Sequence, residues 1–219
     1  MVKYLFKDGK QYDIEIGKLV CLARTYKKHA DEMKSELPIN PIIFLKPPSS
    51  VIFNGDSIIK PKMSKCIHHE VEMGIIISKK CKNVSKDDAL NFVLGYNLCL
   101  DITARDIQSE FKKRGWPWGI SKGFDTIAPI SEVVLKDEIN DPHNLDILLE
   151  VNGKLKQKSN TKNMIFSIGE IIEYISKIMT LEKGDLIMTG TPEGVGEIFK
   201  GDIITAQLGN LCFLKINVK

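Results

Sequence analysis

Paired cysteines are missing from this chain. The five it has, Cys21, Cys66, Cys81, Cys99 and Cys212, are scattered, odd in number and without a Cys-x-x-Cys spacing. That argues against a disulfide framework and against a sulfur-rich zinc knot. Most lie in apolar surroundings and read as small core residues in a reducing compartment, not as nucleophiles. Charge of one sign is also scarce. The net charge is only +3, and no basic run is interleaved with aromatics. Nucleic-acid binding has no support from that pattern. No apolar stretch reaches membrane-spanning length, and no secretory signal pattern is present. Residues 1–16 include Asp8, Asp13 and Glu15. That is unlike an Arg-rich, acid-poor presequence, so the cytosol is the plain expectation.

What is present is ordinary for a globular protein: 43% hydrophobic and 27% charged residues over 219 positions. That length suits one sizeable core, and a single domain over residues 1–219 is expected.

The most telling stretch is His68-His69-Glu70-Val71-Glu72. The run after it, Met73-Gly74-Ile75-Ile76-Ile77, is apolar and β-branched and reads as a strand. Alternate residues of a strand share a face, so Glu70 and Glu72 would converge with Val71 turned away. Two like charges at the head of an apolar strand are costly unless a cation neutralises them. Asp101 closes a second apolar run, residues 96–100. Three carboxylates at strand ends make an all-oxygen half-cage suited to Mg²⁺ or Mn²⁺. The plainer alternative is a solvated edge-strand face. Zinc through His68 and His69 fits less well, because adjacent histidines of a strand diverge and there is no His-Glu-x-x-His spacing.

Turn signals divide the rest of the chain. Residues 4–16 alternate around Asp8-Gly9, a hairpin signal. Residues 19–23 read as a short buried strand. His29 and Glu32 then fall three apart on a helical turn and share a face. Such a pair orients an imidazole as a base, although it is usually just a solvated helix face. A polar loop around Pro38 precedes a strand over residues 41–46, ended by Pro47 and Pro48. Lys46 at its end is either a surface charge, the commoner case, or a group projecting into a site. Ser85 and Asp88 have capping-box character and open a predicted helix through Val93, stopped by Gly95. Residues 103–113 read as a helix ended by Gly115. It sets Arg105 and Gln108 on one face near Asp101, where an arginine suits a carboxylate and Gln108 an oxyanion. Trp116 and Trp118 suggest core or rim packing, and Lys122 alone would read as a surface lysine. Residues 133–143 read as a surface connection. A hairpin turns at Asn152-Gly153. Ser167 and Glu170 form a second capping box, opening a helix with Ile168, Ile171, Ile172, Ile175 and Ile178 on one stripe. Lys183-Gly184-Asp185 and Lys200-Gly201-Asp202 each feed a strand, which fits successive strands of a mostly antiparallel structure. Between them, Thr189-Gly190-Thr191-Pro192-Glu193-Gly194-Val195-Gly196 is glycine-rich but has no Gly-Lys-Ser/Thr ending, so it is not a P-loop. The whole predicts a strand-rich α+β chain.

Three motifs together resemble the fumarylacetoacetate hydrolase family, and within it the small single-domain acylpyruvases. They are His68-His69-Glu70-Val71-Glu72, then Leu100-Asp101-Ile102-Thr103-Ala104-Arg105-Asp106-Ile107-Gln108, then the residue 189–196 loop. The resemblance runs over nearly the whole chain. It implies a mixed β-sandwich roll with peripheral helices, and a homodimer. It implies Mg²⁺, with Mn²⁺ possible, held by Glu70, Glu72 and Asp101. His29 and Glu32 would sit on a lid and activate water, with Lys122 and Gln108 as further catalytic residues. Arg24, Arg105 and Thr191 would contact a 2-oxo acid substrate. The family commonly has Asn after the arginine, where this chain has Thr25, which alters a local hydrogen bond. The implied reaction is hydrolytic C–C cleavage of a 3-acylpyruvate to pyruvate and a carboxylate, with decarboxylation of oxaloacetate alongside. The alternatives are a fumarylpyruvate hydrolase, an isomerase or decarboxylase of 2-hydroxyhepta-2,4-diene-1,7-dioate, or a non-enzymatic metal-binding protein. Relatives in animals are mitochondrial, which sets a second expectation for the compartment.

Overall fold

The computed structural model describes residues 2–32 and 35–219. Three sheets carry the architecture. The largest joins β1 (Leu19–Ala23), β2 (Ile42–Lys46), β3 (Val51–Phe53), β6 (Val71–Ile77), β7 (Val93–Leu100), β9 (Ala128–Ile130), β10 (Val134–Leu135) and β13 (Leu186–Met188). Its order is β2-β1-β13-β6-β7-β9-β3, with β10 also on β7. The second runs β12 (Lys154–Asn160), β11 (Asp146–Val151), β15 (Ile203–Leu208), β16 (Cys212–Val218), β4 (Ser57–Ile58). A small third sheet sets β5 (Ile67–His69) between β14 (Gly196–Ile198) and β8 (Thr103–Ala104). Among the described residues four α-helices lie around them: α1 (Lys27–Glu32), α2 (Arg105–Arg114), α3 (Gly119–Lys122) and α4 (Ile168–Ile178).

Period-two patterning explains how the two larger sheets meet. Ile147, Leu149 and Val151 of β11, Ile204, Ala206 and Leu208 of β15, and Leu214 and Ile216 of β16 all point inward. They pack on Val71, Met73, Ile75 and Ile77 of β6 and on Leu98 and Leu100 of β7. Each fully buried Ile or Leu contributes roughly 1.5–3 kcal/mol. β6 is buried on both faces, so it reads as a continuous apolar run instead of an alternating one. Its other face is covered by the N-terminal segment, through Tyr4, Phe6, Ile14 and Ile16. The segment turns back at Asp8-Gly9 as a hairpin would, but among the described residues Lys3–Glu15 is the one bridge between its two arms, and Phe6 bridges Val133 instead. Side chains on the core and backbone bonds to Leu5 and Lys7 from Val133 hold it, not a hairpin ladder.

Several expectations are corrected. Ser85 and Asp88 do bond reciprocally, the serine Oγ to Asp88 Oδ2 at 2.7 Å and the Asp88 N–H to Oγ at 3.3 Å. They open one 3₁₀ turn, Ala89–Phe92, and not an α-helix. Val93 already belongs to β7, and Gly95 lies inside that strand. A Cβ there would sit 2.3 Å from Val134 O, so Gly95 lets β10 approach and stops no helix. Residues 133–143 are not merely surface, since Val133 and Val134 are buried and β10 pairs with β7. Ile178 is 55% exposed, leaving the other four isoleucines of α4 as its core stripe. The two Gly-Asp turns have the same local form: Asp185 and Asp202 each accept from the backbone N–H three residues back, at 2.7 Å. Yet they feed strands of different sheets, β13 beside β1 and β15 beside β16.

The Ser167 capping box is complete, with Ser167 Oγ accepting from Glu170 N–H and the Glu170 carboxylate from Ser167 N–H. Ser167→Ala should therefore lower stability by about 1 kcal/mol without touching catalysis, read as a lower urea midpoint at unchanged m-value.

Candidate active site

Strand pairing assembles the carboxylates. Val71 of β6 lies opposite Leu100 of β7, and the Asp101 N–H donates to Glu70 O at 2.8 Å. The end of β7 is thereby locked beside the start of β6. Glu70 falls in the break between β5 and β6, not inside a continuous strand. Still, Glu70, Glu72 and Asp101 each offer an oxygen within 4.8 Å of the others, and all three are buried. His68 and His69 stay out of that group. His69 Nδ1 faces Gln157 Oε1 at 2.9 Å, and His68 Nδ1 accepts from Arg105 Nε at 3.4 Å.

The surrounding cations are unevenly shared. Lys122 Nζ lies 2.9 Å from Glu70 Oε2 and 2.6 Å from Asp101 Oδ2. Arg105 donates to Glu70 as well. Lys46, 1% exposed, is no surface charge. Its Nζ donates to Lys122 O at 2.7 Å and Ile102 O at 3.3 Å and sits 2.8 Å from Asp101 Oδ1. Burial works against the charged form of Glu70, but Lys122 and Arg105 outweigh it and hold its carboxyl far below the usual range. Burial also pulls Lys122 down, and Asp101 and Glu70 more than restore it, so its pKa is raised. Lys46 is lowered by burial despite Asp101.

Glu72 is the carboxylate left over. Among the described residues its one donor is the Gly190 N–H, at 2.8 Å. Burial, then the charges of Asp101 and Glu70, push its carboxyl well above the ordinary value. Asp101 Oδ1 lies 2.8 Å from Lys46 Nζ but has no aligned hydrogen-bond donor among the described residues. That oxygen, beside a carboxyl whose ionisation burial and two neighbouring acids disfavour, fits a hard divalent cation, and the all-oxygen donor set suits Mg²⁺ or Mn²⁺. Metal affinity should then rise with pH as Glu72 gives up its proton, and binding should release protons. Mn²⁺ titration calorimetry in two buffers of different ionisation heat measures this. An affinity that does not rise with pH, with no proton released on binding, would show that Glu72 carries no proton in the metal-free protein.

The glycine-rich loop closes the site. Thr189 N–H and Oγ1 both reach Met73 O, at 3.0 and 2.9 Å, so β13 delivers Gly190 over the head of β6. Gly190 is at φ +89°, and a Cβ there would meet Thr25 Oγ1 at 2.0 Å. Thr25 itself donates to Thr189 O at 2.6 Å, the local bond that replaces whatever an asparagine would make. Arg24 before it has φ +60°, a costly backbone for a non-glycine residue and one that clusters at functional sites.

One cavity of about 40 Å³ gathers the remaining candidates. Arg24, His29, Glu70, Glu72, Arg105, Gln108, Lys122 and Thr191 all line it. Asp101 stands behind Lys122, and Glu32 stands behind His29, its carboxylate 3.3 Å from Nδ1. Both Glu32 oxygens also take the Gly194 N–H, at 3.2 Å, so α1 is tied to the glycine-rich loop. Gln108 Oε1 accepts from Arg105 Nη1 at 2.7 Å, which leaves its amide N–H groups to donate. Trp118 does more than pack at a rim: with Phe44, 5.8 Å away ring to ring, it walls the cavity. Sequence reasoning missed Gln157 and undervalued Lys46, since no local pattern separates them from exposed neighbours.

Three buried carboxylates that could hold a cation, a cavity lined by positive side chains and the His29-bearing helix α1 together define a candidate metal-dependent site. Residues 18–219 match the fumarylacetoacetate (FAA) hydrolase C-terminal family, and the chain belongs to that family. An uncharacterized protein of Pyrococcus horikoshii is 52% identical over 99% of this chain and 94% of its own. The mitochondrial oxaloacetate tautomerase FAHD1 of Bos taurus is 46% identical over 94% of this chain and 93% of its own. The crystal structure of fumarylpyruvate hydrolase from Pseudomonas aeruginosa, in complex with Mn²⁺ and pyruvate, superposes with a TM-score of 0.93. It is 31% identical and covers 98% of this chain and 94% of its own. Among the described residues no helix is long and apolar enough to cross a membrane.

Proposed function

We propose that this chain is a divalent-metal-dependent enzyme of 2-oxo acids. It hydrolyses the C–C bond of 3-acylpyruvates to pyruvate and a carboxylate, and decarboxylates oxaloacetate to pyruvate. The observation that carries this is the meeting of three buried carboxylates and the His29–Glu32 pair at one cationic cavity. Glu70, Glu72 and Asp101 would hold the ion, Mg²⁺ or Mn²⁺. When bound, it supplies Lewis-acid polarisation of the keto oxygen and stabilises negative charge there. His29, oriented by Glu32, takes the proton of a water whose oxygen adds to the distal carbonyl carbon. The bond between that carbon and C3 then breaks, and its electron pair leaves with pyruvate as the enolate. Lys122 and the Gln108 amide face the developing charge, and Arg24, Arg105 and Thr191 orient the carboxylate. Loss of CO₂ from oxaloacetate gives the same enolate without a water nucleophile.

A second reading rests on the 46% identity to an oxaloacetate tautomerase. His29 would then move a proton between C3 and the enol oxygen, with no bond between carbons broken. The deciding assay follows pyruvate release from acetylpyruvate and from oxaloacetate, each with Mg²⁺ and with excess EDTA. Enol absorbance of oxaloacetate is read in parallel. Metal-dependent pyruvate from acetylpyruvate is the expected result. Enol loss without pyruvate would favour the tautomerase. No turnover of either, with Mn²⁺ still bound, would move the assignment to longer diacids such as fumarylpyruvate. The homodimer is part of this proposal, and sedimentation should give twice the 24.7 kDa of the chain.

A further inference from the structure

Gln157 lies on β12, between the exposed lysines Lys156 and Lys158, yet is itself 1% exposed. Its amide is fully used. Oε1 accepts from Val71 N–H at 3.1 Å and faces His69 Nδ1 at 2.9 Å. Nε2 donates to Thr191 Oγ1 at 2.9 Å and to Pro192 O at 3.0 Å. A backbone N–H can only donate and a carbonyl can only accept, so the amide has one possible orientation. Thr191 Oγ1 must therefore accept from Gln157. The hydroxyl proton has no acceptor among the described residues, and Thr191 lines the cavity. The same loop is pinned on one side by Gly190 N–H to Glu72 and on the other by Gly194 N–H to Glu32.

We infer that Gln157 is a positioning residue that biases the Thr191 hydroxyl towards donating to the carboxylate of the bound substrate. A free threonine hydroxyl rotates among three positions for one proton and two lone pairs. With one lone pair taken by Gln157 from behind, the proton is confined to the two remaining positions, so the hydroxyl is turned towards the cavity as a donor more often than a free one. That favours an acceptor, and most strongly a charged one, over a cation. The inference rests on the 2-oxo acid reading, and pyruvate with Mn²⁺ is the probe that keeps the two separable.

The test is a double-mutant cycle on pyruvate affinity, measured at saturating Mn²⁺, with Mn²⁺ affinity and Tm recorded for every variant. Gln157→Met keeps the side-chain length and removes both hydrogen-bonding ends. Thr191→Val removes the hydroxyl. Each should weaken pyruvate binding about ten-fold, the effect of a hydrogen bond to a charged group. In the Thr191→Val background, Gln157→Met should change it less than about two-fold, because its route of action is already gone. Gln157→Glu covers the case in which the methionine variant does not fold. It retains the Val71 bond but puts an acceptor behind Thr191, and should weaken pyruvate as much. Full additivity of the two substitutions, or loss of Mn²⁺ affinity in step with pyruvate, would overturn the inference and leave Gln157 structural. A wild-type protein that binds Mn²⁺ but not pyruvate would instead overturn the 2-oxo acid reading.

Discussion

Asp101→Ala should cost this protein its metal-dependent turnover and much of its stability at once. Asp101 is a candidate ligand, and it is also the acid that Lys122 and Lys46 share, at 2.6 and 2.8 Å. Both lysines are essentially excluded from solvent, at 2% and 1% exposure. Removing one partner of a buried ion pair leaves an uncompensated charge, at a cost of about 3–5 kcal/mol. Two lysines are left here, although Lys122 keeps Glu70 and Lys46 keeps two carbonyls, so that range is the expectation. For a chain of this length it corresponds to a fall in Tm of about 10 °C. The informative comparison is the melt with and without Mn²⁺. The ion should raise the Tm of the wild-type protein by mass action and leave that of the variant unmoved. Mn²⁺ stabilising both equally would show that Asp101 is no ligand.

The second large effect separates His29 from the proposed metal ligands. His29→Ala should lower acylpyruvate hydrolysis by about 10²–10⁴-fold, the usual range for a lost general base. Mn²⁺ affinity should stay as it was, since His29 belongs to α1, whereas Glu72 lies in β6 and Glu70 and Asp101 immediately flank β6 and β7. Oxaloacetate decarboxylation needs no activated water, so it should fall much less, and the ratio of the two rates should invert. Glu32→Ala should follow the same pattern more weakly, because the imidazole remains without its orienting carboxylate. Glu32 also holds Gly194 N–H, so Glu32→Gln is the useful control: its amide oxygen can keep that loop contact while the charge is lost. Equal loss of metal binding and hydrolysis in Glu32→Ala would make Glu32 a structural residue.

What could be read without a structure was local. The Asn152-Gly153 turn and the Ser167 capping box are each specified within a few neighbouring residues, and each is present. Asn152 and Gly153 have φ of +52° and +71°, the left-handed pair a tight hairpin needs. The carboxylate trio was legible too, since acids at the ends of apolar strands require an explanation. The ambiguous cases were those where local chemistry allows two outcomes. Lys46, Lys122 and Gln157 have the same immediate signature as solvent-facing residues. Their burial follows from which strand lies beside which, through contacts such as Lys46 to Lys122 O and Gln157 to Val71 N–H, 76 and 86 residues apart. The Ser85 cap shows the limit from the other side: its bonds form, but the pull of Val93 and its successors into β7 ends the helix after one turn.

By itself, then, the sequence determined the periodicities, the turns, the caps and the inventory of acids, bases and cations. Each of these depends on backbone geometry within a turn or two of the chain. Only the tertiary structure decided how three cations are divided among three acids. Among the described residues Glu70 and Asp101 receive lysine or arginine partners, while Glu72 receives only a backbone N–H. The physical reason is that the energy of a buried charge depends on groups a few ångströms away. In this fold those groups arrive from β2, α2, α3 and the loop after β13, each brought in by long-range strand pairing and packing that no local pattern encodes.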